Sequence, residues 1–191
     1  MTATDAELIR RSLRSAEDFA ALFDRHGDEI HRYVARRIGP EHAEDVVADT
    51  FLVAFRKRAV YDTGRADARP WLYGIATHAI RDHLRGERRR AGLLARVLPS
   101  RAQEPFDERS LARVAAAGLG PRLAAALRRL SPAERDLLLL IAWADLSYEE
   151  AAAALGLPVG TVRSRLHRAR RKARRELGDT DPLTIGEESW A

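Results

Sequence analysis

Apolar side chains recur every three or four positions along most of the chain, which is the spacing of amphipathic helices. The first such run covers residues 16–38, with an interruption at Gly27, so it predicts one helix or a pair of helices. Two further runs follow over residues 41–58 and 71–90, and each ends in a cluster of basic residues. The three runs predict a helical body in the first half of the chain.

The pattern weakens between residues 91 and 120, where proline, glycine and scattered charges are typical of a linker with room for one short helix over residues 107–117. Regular spacing returns at residue 121, and no long stretch favours a strand. We therefore predict an all-α fold of two small helical domains joined by a flexible linker. The expected segments are an N-terminal extension (1–15), a first domain (16–90), the linker (91–120), a second domain (121–177) and an acidic tail (178–191).

The second domain contains two helix starts and a turn in close succession. Ser131 with Glu134 and Ser147 with Glu150 have the spacing of capping boxes, in which each side chain satisfies a backbone N–H of the other residue. The second box opens a short alanine-rich helix that stops at Gly156, and a longer helix follows the turn. A short helix, a turn and a longer helix predict a helix-turn-helix, whose second helix enters the DNA major groove.

The longer helix is expected to divide into an apolar face and a basic face. Its apolar positions are Val162, Leu166, Ala169, Ala173 and Leu177. The opposite face carries Ser164, His167, Arg168, Arg171 and Arg175. A hydroxyl near the helix N-terminus can reach base edges, while guanidinium groups behind it can reach phosphates. An arginine-rich helix that only faces solvent is the alternative, which the capping boxes, the glycine turn and the facial division together disfavour.

Composition and charge agree with this interpretation. The chain has 33 basic and 28 acidic residues, a net charge of +5, which favours an anionic partner. Without cysteine it forms no disulfide, thiolate zinc site or iron–sulfur cluster. No apolar stretch approaches the roughly 18 residues needed to span a bilayer, and the acidic N-terminus does not resemble a signal peptide. We expect a cytoplasmic protein with no membrane insertion.

Little in the sequence supports catalysis or metal binding. His26 with His31, and His78 with His83, lie five residues apart, a separation of about 140° around a helix, so neither pair converges on one ion. The sequence shows no glycine-rich phosphate loop, nucleophile elbow or zinc-protease motif. We expect no enzymatic activity, no metal and no cofactor.

Residues 132–177 closely resemble the C-terminal domain of sigma factors of the extracytoplasmic function (ECF) group, most specifically in LSYEE and ALGLPVGTVRSRLHRAR and in the preceding SPAER. AEDVVADTFLVAFRKR (43–58) resembles the helix of this family that binds core polymerase, and residues 69–90 resemble its minus-10 region. The resemblance covers about residues 16–177 in the expected order. It implies sigma domain 2 in the first half and sigma domain 4 in the second.

The resemblance also implies roles for individual residues. It implies that Ser164, His167 and Arg168 contact minus-35 bases and that Arg163, Arg165 and Arg171 contact phosphates. Minus-10 recognition falls to Tyr61, Trp71, His78, Arg81 and Arg85, with the loop 61–70 capturing a flipped base. Docking on the β′ clamp helices falls to Glu44, Asp45, Asp49, Phe51 and Leu52. Relatives often have asparagine where this chain has His78, a change that bears on the preferred minus-10 base.

The implied function is that of a sigma factor, which directs core RNA polymerase to promoter DNA. The implied partners are core polymerase, through its β′ clamp helices and β flap, promoter DNA and an anti-sigma factor. Two alternatives remain open at this point. One is a dimeric helix-turn-helix regulator that acts at an operator, and the other is an anti-sigma or adaptor protein that binds polymerase without reading DNA.

Overall fold

The computed structural model describes residues 3–97 and 120–177, and every regular element in these two ranges is helical. Eight α-helices are present there: α1 (Asp5–Ser12), α2 (Ala20–Ile38), α3 (Pro40–Lys57), α4 (Arg69–Val97), α5 (Gly120–Arg128), α6 (Pro132–Trp143), α7 (Tyr148–Leu155) and α8 (Val159–Leu177). Short 3-10 turns cover Ala16–Phe19 and Arg58–Val60. The all-α prediction is confirmed.

The first half is built around α2, α3 and α4. Helix α2 passes through Gly27 without a break, so the expected interruption there is wrong. A helical glycine costs about 1 kcal/mol relative to alanine. Burial of Leu22 and Ile30 on either side of it contributes about 1.5–3 kcal/mol each, which outweighs that cost. Gly39 then turns the chain with φ 94°, and Pro40 opens α3.

The segment 1–15, expected as an extension, contains α1, and α1 belongs to the core of the first half. Its residues Ala6, Leu8 and Ile9 are buried. A capping box starts α1, because Thr4 Oγ1 accepts from the Glu7 N–H while the Glu7 carboxylate accepts from the Thr4 N–H. The apolar side of α1 therefore packs against the first domain.

Helix α4 continues to Val97, past the expected start of the linker at residue 91. The expected short helix over residues 107–117 and the acidic tail 178–191 lie outside the described residues. None of the helices in the described ranges combines the length and the apolar character that crossing a bilayer requires.

The second half consists of α5 to α8. Both expected capping boxes are confirmed: Ser131 Oγ accepts from the Glu134 N–H at 3.3 Å, and Ser147 Oγ accepts from the Glu150 N–H at 3.2 Å. Helix α7 ends at Gly156 in the left-handed conformation, with φ 63°. The core of this half is formed by fully buried leucines. These include Leu127, Leu137, Leu138, Leu140 and Leu166.

The two halves pack against each other through α4 and α7. Gly74 of α4 allows the approach, since a Cβ at that position would lie 2.2 Å from the carbonyl oxygen of Ala154. Asp136 of α6 accepts from Arg37 of α2 and from Arg81 of α4. The Arg69 guanidinium also donates to the Ala144 carbonyl at 3.0 Å. The contact thus combines close backbone packing with charged hydrogen bonds.

Candidate nucleic-acid and polymerase interfaces

Helix α8 has the division into two faces that the sequence predicts. All five apolar positions, from Val162 to Leu177, are buried against the rest of the second half. An ion pair also joins α8 to α6, because the Lys172 Nζ lies 2.8 Å from the Glu134 carboxylate. The opposite side is exposed along its whole length. Its exposed residues are Ser164, His167, Arg168, Arg171 and Arg175.

The charged groups on this exposed side have few acidic neighbours. The Arg163 guanidinium lies 3.4 Å from the exposed Glu149 carboxylate, a surface pair that contributes about 0–1 kcal/mol. Ser164 Oγ donates to the Thr161 carbonyl at 3.1 Å, which leaves its oxygen able to accept. Arg165 is half-buried. The remaining basic side chains form a continuous surface: His167, Arg170, Arg171, Arg174 and Arg175 surround one shallow depression.

The predicted minus-10 loop is well ordered by hydrogen bonds to its backbone. Tyr61 is 8% exposed, and its hydroxyl oxygen lies 2.7 Å from the Arg65 carbonyl oxygen and 3.1 Å from that of Asp67, so the two carbonyls share its single hydrogen. The Tyr61 ring lies 4.9 Å from the ring of Trp71, which is half-buried. Tyr61 therefore supports the loop from inside. The exposed side chains around it belong to residues 62–67 and not to Tyr61.

His78 is exposed on α4, one turn after Gly74. Its Nδ1 lies 2.7 Å from the Gly74 carbonyl oxygen. Because a carbonyl oxygen only accepts, Nδ1 carries a hydrogen and the other ring nitrogen, Nε2, is the acceptor whenever the ring is neutral. The side chain can therefore present one acceptor to a base.

The two arginines predicted for minus-10 recognition are both paired with acids. Arg85 pairs with Asp82 on the same exposed side of α4. Arg81 pairs with Asp136, which belongs to the other half of the chain and is 1% exposed. The Arg81 Nε makes this pair and the side chain is 32% exposed, so its Nη groups are still able to donate to DNA.

The predicted polymerase surface on α3 is exposed apart from one residue. Glu44, Asp45 and Asp49 are exposed, and Leu52 is 45% exposed. Phe51 is buried, with its ring 4.9 Å from that of Phe23. Phe51 therefore supports this surface from below. Phe23 itself is 47% exposed.

One groove joins the predicted polymerase-binding acids to the predicted minus-10 region. Helix α3 provides Asp45 and Asp49 to it, and α4 provides Trp71 and His78. Ala153 and Ala154 of α7 line its edge, where the two halves meet. The two predicted sites thus face a common space.

A charged cluster that was not predicted from the sequence links α1, α2 and the start of α4. His26 Nε2 lies 2.8 Å from the Asp5 carboxylate, and His26 Nδ1 lies 2.7 Å from that of Glu29. Glu29 also accepts from Arg69 at 3.1 Å. Burial lowers the pKa of His26, but the hydrogen bonds to Asp5 and Glu29 outweigh this effect and raise it from 6.5 to about 9.

Asp5, His26 and Asp67 are the only group with the spacing of metal ligands among the described residues. The hydrogen bonding of His26 favours a different role. Both ring nitrogens face carboxylates, so both carry hydrogens in the charged ring and neither offers a lone pair to a metal. Burial raises the pKa of Asp5, but hydrogen bonds from His26 and the Ala68 N–H lower it to about 2. The cluster is an ion-pair network that no local sequence pattern reveals, because its members lie far apart along the chain.

Comparison with known proteins identifies the family of this chain. The model for sigma-70 region 2 matches residues 22–90, and that for sigma-70 region 4 matches residues 121–172. The ECF RNA polymerase sigma factor SigL of Mycobacterium tuberculosis is 36% identical over 165 residues, which cover 84% of this chain and 90% of SigL. The RNA polymerase sigma factor CarQ of Myxococcus xanthus is 33% identical over 178 residues, covering 91% of this chain and 97% of CarQ. The chain belongs to the ECF group of the sigma-70 family.

Other relatives differ in length or share mainly the fold. The ECF sigma factor SigE of Mycolicibacterium smegmatis is 36% identical over 159 residues, which cover 80% of this chain and 59% of SigE. CnrH, solved in complex with the cytosolic domain of CnrY, superposes with a TM-score of 0.64 at 28% identity, over 91% of this chain and 97% of CnrH. RpoE of Bartonella quintana, solved with the anti-sigma factor NepR, has the same fold, with a TM-score of 0.54 at 23% identity over 85% of this chain and 98% of RpoE.

Proposed function

We propose that this chain is a sigma subunit that binds core RNA polymerase and directs promoter-specific transcription initiation in the cytoplasm, with no catalytic activity of its own. The exposed basic face of α8, opposite a stripe buried along its whole length, is the observation that carries the proposal. Membership of the ECF group supports it.

The basic face of α8 acts at the minus-35 element. Its position directly after the left-handed turn at Gly156 is that of a recognition helix, whose N-terminal residues face base edges. Ser164, His167 and Arg168 read bases, while Arg163, Arg165 and Arg171 contact phosphates. Exposure of these side chains, except the half-buried Arg165, supports the assignment.

The expected loop 61–70 ends at residue 68, because α4 begins at Arg69; this loop and the exposed side of α4 act at the minus-10 element. Trp71, His78, Arg81 and Arg85 are the residues proposed to contact DNA there, and Tyr61 acts by shaping the loop. Arg81 can contact DNA through its Nη groups while its Nε remains on Asp136, because a guanidinium carries five N–H donors.

The exposed face of α3 docks on the β′ clamp helices, and the second half contacts the β flap. Glu44, Asp45 and Asp49 supply charge for this contact, and Leu52 supplies apolar area at its end. An anti-sigma factor is a further proposed partner. CnrH, at 28% identity, was solved with the cytosolic domain of CnrY, which supports a partner of this kind.

The test is reconstitution with purified core polymerase. We expect the chain to copurify with core polymerase and to direct run-off transcription from a subset of genomic fragments, whose mapped start sites share two upstream elements. Arg122→Ala, which removes an exposed charge from α5, is the control and should transcribe the same set.

Two results would contradict the proposal. Binding of duplex DNA as a dimer, with no assembly on core polymerase, would indicate an operator-binding regulator. Assembly on core polymerase without promoter-dependent transcripts would indicate an adaptor.

A further inference from the structure

Asp5, the first residue of α1, is bonded to the loop that precedes α4. Its backbone N–H donates to the Ala66 carbonyl at 3.1 Å, and its Oδ2 accepts from the Ala68 N–H at 2.9 Å. The same carboxylate pairs with His26 and Arg25 of α2. Asp5 is 4% exposed, so it connects the loop to the helical core beneath it.

Every backbone unit from residue 65 to residue 68 is therefore held. Tyr61 holds the carbonyls of Arg65 and Asp67 from inside, and Asp5 holds Ala66 and Ala68 from α1. The Ala68 carbonyl in turn accepts from the Leu72 N–H at 2.9 Å, so α4 begins at a fixed point. The side chains of residues 65–67 remain exposed. A rigid backbone with exposed side chains is suited to contact a ligand without an ordering cost.

We propose that Asp5 is a positioning residue for minus-10 recognition, which fixes the loop 61–68 in the shape that accepts an unpaired base. The inference rests on the proposed function of the loop and adds a residue from outside it. Without the Asp5 carboxylate, the segment at Ala68 loses its only side-chain anchor from α1 among the described residues. The loop then has to be ordered when the base binds, which weakens capture.

A role in stability alone is the competing explanation, since α1 also buries Ala6, Leu8 and Ile9. Two substitutions separate the explanations. Asp5→Asn keeps an oxygen in place for the Ala68 N–H and removes the negative charge. Asp5→Glu keeps the charge and displaces the oxygens by one methylene. Loop support predicts that Asn functions and Glu does not, whereas charge pairing with His26 and Arg25 predicts the reverse.

The experiment uses holoenzyme reconstituted from core polymerase and each full-length variant. The probe is a fluorescent single-stranded oligonucleotide with the non-template minus-10 sequence of a mapped promoter. A series of further probes replaces each base of this sequence in turn by an abasic site. Wild-type holoenzyme should lose affinity at the captured base by roughly five- to hundredfold, the range for one stacked base. Holoenzyme with Asp5→Ala or Asp5→Glu should bind the intact strand more weakly than wild type by the same factor. An abasic site at the captured base should then cause no further loss of affinity. Asp5→Asn should stay within about twofold of wild type.

The controls distinguish this inference from the proposed function. Arg10→Ala changes an exposed side chain of the same helix and should behave as wild type. Assembly of the wild-type chain with core polymerase, and transcription from duplex promoters, test the proposed function. The inference would be overturned if Asp5→Glu discriminated the captured base as well as wild type does. It would also be overturned if Asp5→Asn no longer discriminated that base. If Asp5→Ala does not fold, the contrast between Asn and Glu still decides.

Discussion

The guanidinium of Arg37 and the carboxylate of Asp136 form a buried ion pair between residues 99 positions apart in the sequence. Their side chains are 6% and 1% exposed. Arg37 also donates to the Tyr33 hydroxyl at 3.0 Å, and Asp136 also accepts from Arg81. Both members of the buried pair thus have a charged partner and a further hydrogen bond, as burial of charge requires.

Asp136→Ala should lower the free energy of unfolding by about 3–5 kcal/mol, because it removes the carboxylate that pairs with the buried Arg37 guanidinium. Urea denaturation of the full chain measures the loss. Asp82→Ala is the matched control, since it removes the acid of an exposed pair with Arg85 and should cost about 0–1 kcal/mol. Equal costs for the two variants would contradict a buried pair at this junction.

Gly74→Ala should separate α4 from α7. The added Cβ would lie 2.2 Å from the Ala154 carbonyl oxygen. Because this oxygen belongs to the backbone of α7, the whole helix has to shift to relieve the clash. A cost of about 1–3 kcal/mol is expected, with a larger radius of gyration in solution scattering. Gly86→Ala, in the same helix, meets no atom within 4 Å and should stabilise the chain by about 0.5–1 kcal/mol. A Gly74→Ala variant as compact as wild type would exclude the close contact.

Local features of the fold could be predicted from the sequence, because the groups that determine them are neighbours in the chain. The capping boxes at Ser131 and Ser147, the turn at Gly156 and the buried face of α8 each depend on residues within a few turns of helix. The break expected at Gly27 was wrong for the complementary reason. Local propensity disfavours glycine in a helix, but tertiary burial around it decides the outcome.

Relations between distant residues could not be predicted in this way. The sequence gives no sign that Arg81, a candidate DNA-binding residue, pairs with Asp136, or that Asp5 pairs with His26. Burial of Phe51 and exposure of Phe23 depend on which side of α2 faces α3, which helical spacing leaves open when apolar residues occupy a wide arc. The helices and the loop of the candidate site could therefore be predicted from the sequence. The ion pairs of its charged residues could not, because they depend on the tertiary structure.

The charged state of His26 should make the stability of the first half depend on pH. Its pKa is about 9 in the folded chain and 6.5 in the unfolded chain, so protonation stabilises the fold fully below pH 6.5 and progressively less as pH rises toward 9. His26→Gln should cost about 2 kcal/mol near pH 6 and much less near pH 10, allowing for solvent screening. Urea denaturation at both pH values measures this difference. An equal cost of His26→Gln at the two pH values would contradict a charged His26 in the folded chain.

Reversal of charge on α3 should abolish holoenzyme assembly. Asp45 and Asp49 lie one turn apart and are both exposed, so Asp45→Lys with Asp49→Lys replaces acidic with basic charge on one face without disturbing the core. Asp24→Lys with Asp28→Lys is the matched control, because it makes the same change on exposed positions of α2. Size-exclusion chromatography with core polymerase should show assembly of the control only. Normal assembly of the α3 variant would mean that the docking surface lies elsewhere.

Two arginines of α8 should affect DNA binding in different ways. Arg168→Ala should cost about 1–3 kcal/mol at one promoter position and relax the preference there, as loss of a base contact does. Arg171→Ala should weaken binding to all promoters by a similar factor and reduce the slope of log affinity against log salt by about one unit, because a phosphate contact releases a counterion. Both side chains are exposed on the same face and neither supports the buried stripe, so the two variants differ in their DNA contact and not in folding. Binding of each holoenzyme to matched and mutated minus-35 sites over a range of salt concentrations separates the effects. An equal loss on matched and mutated sites for Arg168→Ala would reassign this residue to the phosphates.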